Sequence, residues 1–292
     1  MLEGYIVAVV SPFKNKKIDT SAFERYINYI INSGISGIVV CGSTGESLSL
    51  SNQEKVELVK IASEINRGKV KLIGGVIDPV TDNCVEFIKK TEEYVDYFLC
   101  ICPFYIKPSQ QQIHDHFKKL NDSTRRGIVL YNNPGRVGTS IGWDVFRKLC
   151  DLKNIIAVKE CASDLSRFSL WRPMVKENFS FLTGNDDIAC GALAMGASGI
   201  ISVSANVAPG LCVDMYDAFR KNDIKKFGIL RDTLAPLHEL MFVEPSPAPV
   251  KYALSKLGFI SDELREPLSS ISAELRKKID TLLERLEIFS NG

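Results

Sequence analysis

The stretch 155–160, "IIAVKE", sets a lysine directly behind four apolar residues. A short run of β-branched and small apolar side chains reads as a strand buried on both faces. Burying a lysine cation is costly unless it is paired or gives up its proton. Outward from this stretch, seven more runs of the same kind recur: "GYIVAVVSPF" from Gly4, "GIVVCGS" from Gly37, "KLIGGV" from Lys71, "YFLCICPF" from Tyr97, "GIVLYNN" from Gly127, "FSFLTGND" from Phe179 and "GIISVS" from Gly199. Amphipathic stretches separate them. Ser51 and Glu54 have capping-box spacing ahead of "KVELVKIASEI". Val85, Ile88 and Val95 mark one face of a third helix.

Strand and helix alternating eight times call for parallel strands with crossover helices, and eight such units close into a (β/α)8 TIM barrel of the α/β class. An open doubly wound sheet is the rival, but no G-x-G-x-x-G follows any strand. From about Gly210 the pattern turns purely helical. Leu275, Ile279, Leu282, Leu286 and Phe289 form an apolar stripe suited to packing on the barrel or on another subunit. The expected organisation is one domain, with the barrel core over 1–209 and the last barrel helix and a C-terminal helical extension over 210–292.

A length of 292 residues fits a single barrel, and 45% hydrophobic with 24% charged residues is a globular composition. With 36 basic and 35 acidic side chains the net charge is +1, which leaves no electrostatic footprint for nucleic acid or a membrane surface. No apolar run approaches the roughly 20 residues of a membrane span. "MLEGYIVAVVSPF" lacks a basic n-region and a small-residue cleavage site, so the expected location is the cytoplasm. Cys41, Cys100 and Cys102 lie in apolar runs, where a thiol behaves as a small hydrophobe. His114 and His116 are two apart and cannot converge on one ion from a helix, so no metal is expected.

Barrel active sites sit at the C-terminal ends of the strands. There the chain places "GSTGES", "CPFY", "YNNPGR", "KE" and "TGND", bringing Ser43, Thr44, Tyr131, Lys159 and Arg136 to one rim. Each has an ordinary reading. Lys159 could be half of a structural ion pair, Tyr131 a core tyrosine, Arg136 a solvated loop residue, and Ser43 with Glu46 a capping box. Together they suit another chemistry. A desolvated amine attacks a carbonyl to form a Schiff base, and a neighbouring phenol moves the protons without adding a charge. The "GSTGE" turn offers backbone amides and hydroxyls to a carboxylate.

These motifs, with "IVAVVSPF", "ISVSANVAP" and "VEPSPAPVK", run end to end along the chain. It resembles the dihydrodipicolinate synthases, within the N-acetylneuraminate lyase family of Schiff-base (β/α)8 aldolases. The resemblance implies that Lys159 forms the Schiff base with pyruvate. It implies that Tyr131 relays protons with Ser43 and with Tyr105 donated across a tight dimer. Thr44 would hold the pyruvate carboxylate, Arg136 would steer L-aspartate 4-semialdehyde, and Gly184 and Ile201 would line the pocket. It further implies a homotetramer built as a dimer of tight dimers, no organic cofactor or metal, and a product, 4-hydroxy-tetrahydrodipicolinate, on the diaminopimelate route to lysine.

Two departures stand out. Ser43 occupies a position where most synthases carry threonine and the neuraminate lyases serine; Arg136, in contrast, is absent from the lyase branch. The positions that form a lysine-binding allosteric pocket in regulated members carry Asn52, Lys55, Pro79, Asn83 and Phe104 here. Lys55 would repel a lysine ammonium and Phe104 lacks a hydroxyl, so weak or absent feedback inhibition is expected. The alternatives are a pyruvate-dependent aldolase acting on a sugar acid, such as N-acetylneuraminate or a 2-keto-3-deoxy acid, and a non-catalytic barrel that binds a carboxylate.

Overall fold

All eight apolar runs form strands in the computed structural model, which describes residues 1–286. They are β1 (Gly4–Ala8), β2 (Gly37–Val40), β3 (Lys71–Val76), β4 (Tyr97–Ile101), β5 (Gly127–Asn132), β6 (Ile155–Glu160), β7 (Ser180–Thr183) and β8 (Gly199–Ser202). Every strand pairs in parallel with its neighbour in the chain, and β8 closes on β1 through Gly4 opposite Gly199 and Ile6 opposite Ile201. The result is a closed barrel. Continuous apolar strands suit it, because one strand face fills the barrel and the other meets the helices. A short antiparallel pair, Phe13–Lys14 and Lys17–Ile18, follows β1 as a separate two-stranded sheet.

Helix caps fall where the side chains allow. Ser51 and Glu54 form a complete capping box on Asn52–Asn66. In the next helix, Thr81–Thr91, Ile88 is buried as expected, but Val95 lies beyond the helix end. Val95 is buried in the approach to β4, so apolar spacing continued past the point where the helix stopped. After the last barrel helix, Pro209–Arg220, come Ile224–Leu240, Ala248–Lys256 and Ala273–Arg285. The region after Gly210 is not purely helical, since residues 259–272 form an extended loop. Leu275, Ile279 and Leu282 are buried, and Leu286 packs against the core at the helix end; Phe289 lies outside the described residues.

Candidate active site

Strands β5 and β6 set Tyr131 in register with Lys159. The lysine Nζ stands 4.5 Å from the centroid of the phenol ring. Lys159 is buried, only 7% exposed, and among the described residues its amine has neither an ion-pair partner nor a hydrogen bond. The structural ion pair considered for it belongs to its neighbour. Side chains alternate along a strand, so Glu160 points to the opposite face from Lys159. There Asn132 Nδ2 donates to both Glu160 oxygens at 2.9 and 2.8 Å, and Arg167 Nε lies 3.1 Å from Oε2. Burial raises the Glu160 pKa, and the Arg167 charge opposes that rise.

The "YNN" triplet has a division of labour. Asn132 ties β5 to β6 through Glu160, and its Oδ1 accepts from the Ile141 amide at 3.0 Å. Asn133 Nδ2 donates to the Tyr131 hydroxyl at 3.1 Å, while its Oδ1 caps the turn that carries Arg136. Asn133 thus joins the phenol to the loop bearing the arginine. Both asparagines lie inside "YNNPGR", where spacing alone does not distinguish the one that reaches the phenol.

Gly184 follows β7 beside the lysine. A Cβ there would sit 2.4 Å from Lys159 Cε and 2.2 Å from Cys161 Sγ, so the lysine has its room only because position 184 carries no side chain. Cys161, one residue beyond β6, adds a thiol to this rim that no strand-end motif signals. Burial pushes it up to about 11, against the pull of the Lys159 and Arg136 charges.

A cavity of about 460 Å³ opens at the C-terminal ends of the strands, lined by Ser43, Ile101, Phe104, Arg136, Pro247 and Leu268 among others. Ser43 is half-buried, Thr44 behind it is buried, and Arg136 is exposed at the mouth. Ser43 and Glu46 do not form a capping box: Glu46 adopts φ 52° and makes no side-chain cap. Its carboxylate instead meets Lys251 from the C-terminal segment at 2.7 Å. Ile201 is fully buried in β8. Tyr105 does not line its own chain's cavity; it is 92% exposed beside exposed Ile106.

Of the five positions compared with an allosteric pocket, Asn52, Lys55 and Asn83 line one recess of about 10 Å³. Pro79 borders a different depression and Phe104 the cavity mouth. Among the described residues, no three His, Cys, Asp or Glu side chains are placed to hold a metal ion, and no helix is long and apolar enough to cross a membrane.

Fold and rim define a class: a (β/α)8 barrel with a buried, unpaired lysine facing a tyrosine at adjacent strand ends. The chain belongs to the dihydrodipicolinate synthetase family, whose model matches residues 1–286. It is 39% identical to a 4-hydroxy-tetrahydrodipicolinate synthase of Parvibaculum lavamentivorans over 96% of both chains. It is 38% identical to one of Rhodospirillum centenum over 92% of both. Its fold superposes on the crystal structure of dihydrodipicolinate synthase from Aquifex aeolicus with a TM-score of 0.96 at 32% identity, covering 99% of this chain and 100% of that one.

Proposed function

We propose that the protein is a 4-hydroxy-tetrahydrodipicolinate synthase, a lyase that condenses pyruvate with L-aspartate 4-semialdehyde. The observation that carries this reading is the unpaired Lys159 amine against Tyr131. The amine adds to the pyruvate ketone, and loss of water gives an imine. Tyr131 carries protons to and from the developing oxygen, with Ser43 and Tyr105 of the partner subunit completing the relay. Thr44 and nearby backbone amides hold the pyruvate carboxylate, and Gly184 and Ile201 shape the pocket. Loss of a methyl proton converts the imine to an enamine, which attacks the aldehyde. Arg136 at the mouth holds the second carboxylate. The substrate's own amine then displaces Lys159 and closes the ring.

Arg136 supports this reading over a sugar-acid aldolase, and the exposed Tyr105–Ile106 pair supports a tight dimer within a homotetramer. The lack of a membrane-crossing helix among the described residues is compatible with work in the cytoplasm. The test is a product assay with pyruvate and L-aspartate 4-semialdehyde, coupled to a dihydrodipicolinate reductase, beside cleavage of N-acetylneuraminate and of a 2-keto-3-deoxy acid. Turnover only in the sugar-acid arms overturns the reading. Arg136→Ala should raise KM for the aldehyde; a rise confined to pyruvate KM would reassign that residue.

A further inference from the structure

We propose that Glu46 and Lys251 are positioning residues that fix the Ser43–Thr44 turn, so that the C-terminal segment sets the carboxylate end of the pyruvate site. The proposal rests on the function read above. Both side chains are completely shielded from solvent, and although Glu46 borders the cavity its carboxylate is turned to Lys251. They belong to a closed circuit. Lys251 Nζ donates to Glu46 Oε1 at 2.7 Å and to the Ser11 carbonyl at 2.9 Å. Ser11 Oγ in turn donates to the Gly45 carbonyl at 2.7 Å. Gly45 and Glu46 immediately follow Ser43 and Thr44, so three elements distant in sequence converge on one turn: the exit of β1, the exit of β2 and the helix Ala248–Lys256.

A second arm comes from the loop after that helix. The Arg265 backbone amide donates to the other Glu46 oxygen at 3.2 Å, and its guanidinium holds the Ser49 carbonyl at 2.8 Å and Glu54 Oε2 at 2.9 Å. Lys251 and Arg265 also lie against the Phe13 ring, at 4.2 and 4.4 Å from its centroid. Glu46 itself has a left-handed backbone, unusual for a residue with a side chain. Its buried carboxylate, bonded on both oxygens, holds it there.

Stability alone does not explain the pair. A buried ion pair can be exchanged for apolar side chains of similar size with little loss, and often some gain, in stability. What the exchange removes is direction: apolar contacts do not specify where a carboxylate, and the turn attached to it, must lie. Loosening the turn should therefore weaken pyruvate capture more than the later chemistry.

The experiment uses the full chain with Glu46→Leu/Lys251→Met, which removes both charges together, and Glu46→Gln, which keeps shape and one acceptor should the double variant fail to fold. Thermal unfolding, steady-state kinetics and borohydride trapping with pyruvate are measured on each, with the unaltered protein as control. The double variant should unfold cooperatively and be trapped at saturating pyruvate, with pyruvate KM raised about tenfold or more and kcat reduced by a smaller factor. Glu46→Gln should show the same split, about threefold in KM. Wild-type pyruvate KM in a folded variant, whatever its unfolding temperature, overturns the proposal. Absence of an adduct on the unaltered protein instead overturns the Schiff-base reading, and the proposal with it.

Discussion

Tyr131 and Lys159 are register partners on adjacent parallel strands, with the lysine Nζ 4.5 Å from the phenol ring. The strand register sets that pairing, so removing one member leaves the other in place. Lys159→Ala should give a folded barrel that forms no adduct with pyruvate under borohydride. Intact-mass measurement checks it; an adduct on another lysine would sink the assignment.

Tyr131→Phe keeps the ring and deletes the hydroxyl that Asn133 holds at 3.1 Å. Trapping should survive while turnover falls by about two to four orders of magnitude. Asn133→Ala leaves the hydroxyl but frees its orientation, so kcat should fall by a smaller factor. An Asn133→Ala loss as large as that of Tyr131→Phe would mean that Asn133 does more than orient the phenol.

Gly184→Ala tests the space around the lysine. The new methyl would sit 2.4 Å from Lys159 Cε and 2.2 Å from Cys161 Sγ, closer than side chains pack, so one of them must move. Imine formation, followed by stopped-flow trapping, should slow by about 10–100-fold. Adding Cys161→Ala removes one of the two obstructions and should restore part of the rate. If the second change restores nothing, the lysine rather than the thiol bears the crowding.

The barrel was legible because strand periodicity and chain order are local properties that simple alternation reveals. "IIAVKE" and its seven counterparts all became strands in the expected order. Lys159 and Tyr131 were legible because a polar residue ending an apolar strand is conspicuous. The supporting contacts were not. Glu46–Lys251 spans 205 positions, and local spacing suggested a cap for Glu46 where a distant partner holds it. That Glu160 rather than Lys159 is the ion-paired member depends on Arg167 and Asn132, which reach it from outside its own strand. Val95 shows the limit of periodicity: burial persists after a helix ends, so an apolar position alone does not mark the boundary.

Lysine should not inhibit the enzyme appreciably. Within one subunit, Asn52, Lys55 and Asn83 line, with Asp78 and Phe87 among others, a recess of about 10 Å³, on the scale of one water. Lys55 sets a like charge against a ligand ammonium there, while the Asp78 carboxylate in the same recess is already engaged by Asn83 Nδ2 at 3.3 and 3.2 Å. Steady-state rates with low-millimolar L-lysine should match those without it. Clear inhibition would mean that the recess opens or that lysine binds elsewhere.

Stability should fall as the solution is acidified below neutrality, with His116 a contributor. Its Nδ1 lies 2.9 Å from Thr81 Oγ1, while Nε2 is buried without a hydrogen-bond partner among the described residues. Burial pushes its pKa down to about 4 from 6.5. The folded protein therefore keeps the ring neutral while the unfolded chain takes up a proton below about 6.5. The resulting loss accumulates as pH falls from about 6.5 to about 4, at up to roughly 1.4 kcal/mol per pH unit. His238, also lowered by burial, acts in the same direction. Glu160, whose pKa is raised, acts oppositely, because the folded state takes up its proton first. Asp115 and Lys119 border the same depression as His116. His116→Gln removes the titrating ring and leaves an amide to meet Thr81. Urea unfolding at pH 7 and pH 5 should show a smaller stability difference for the variant than for the unaltered protein. An equal difference in both would exclude His116 as a source of the acid sensitivity.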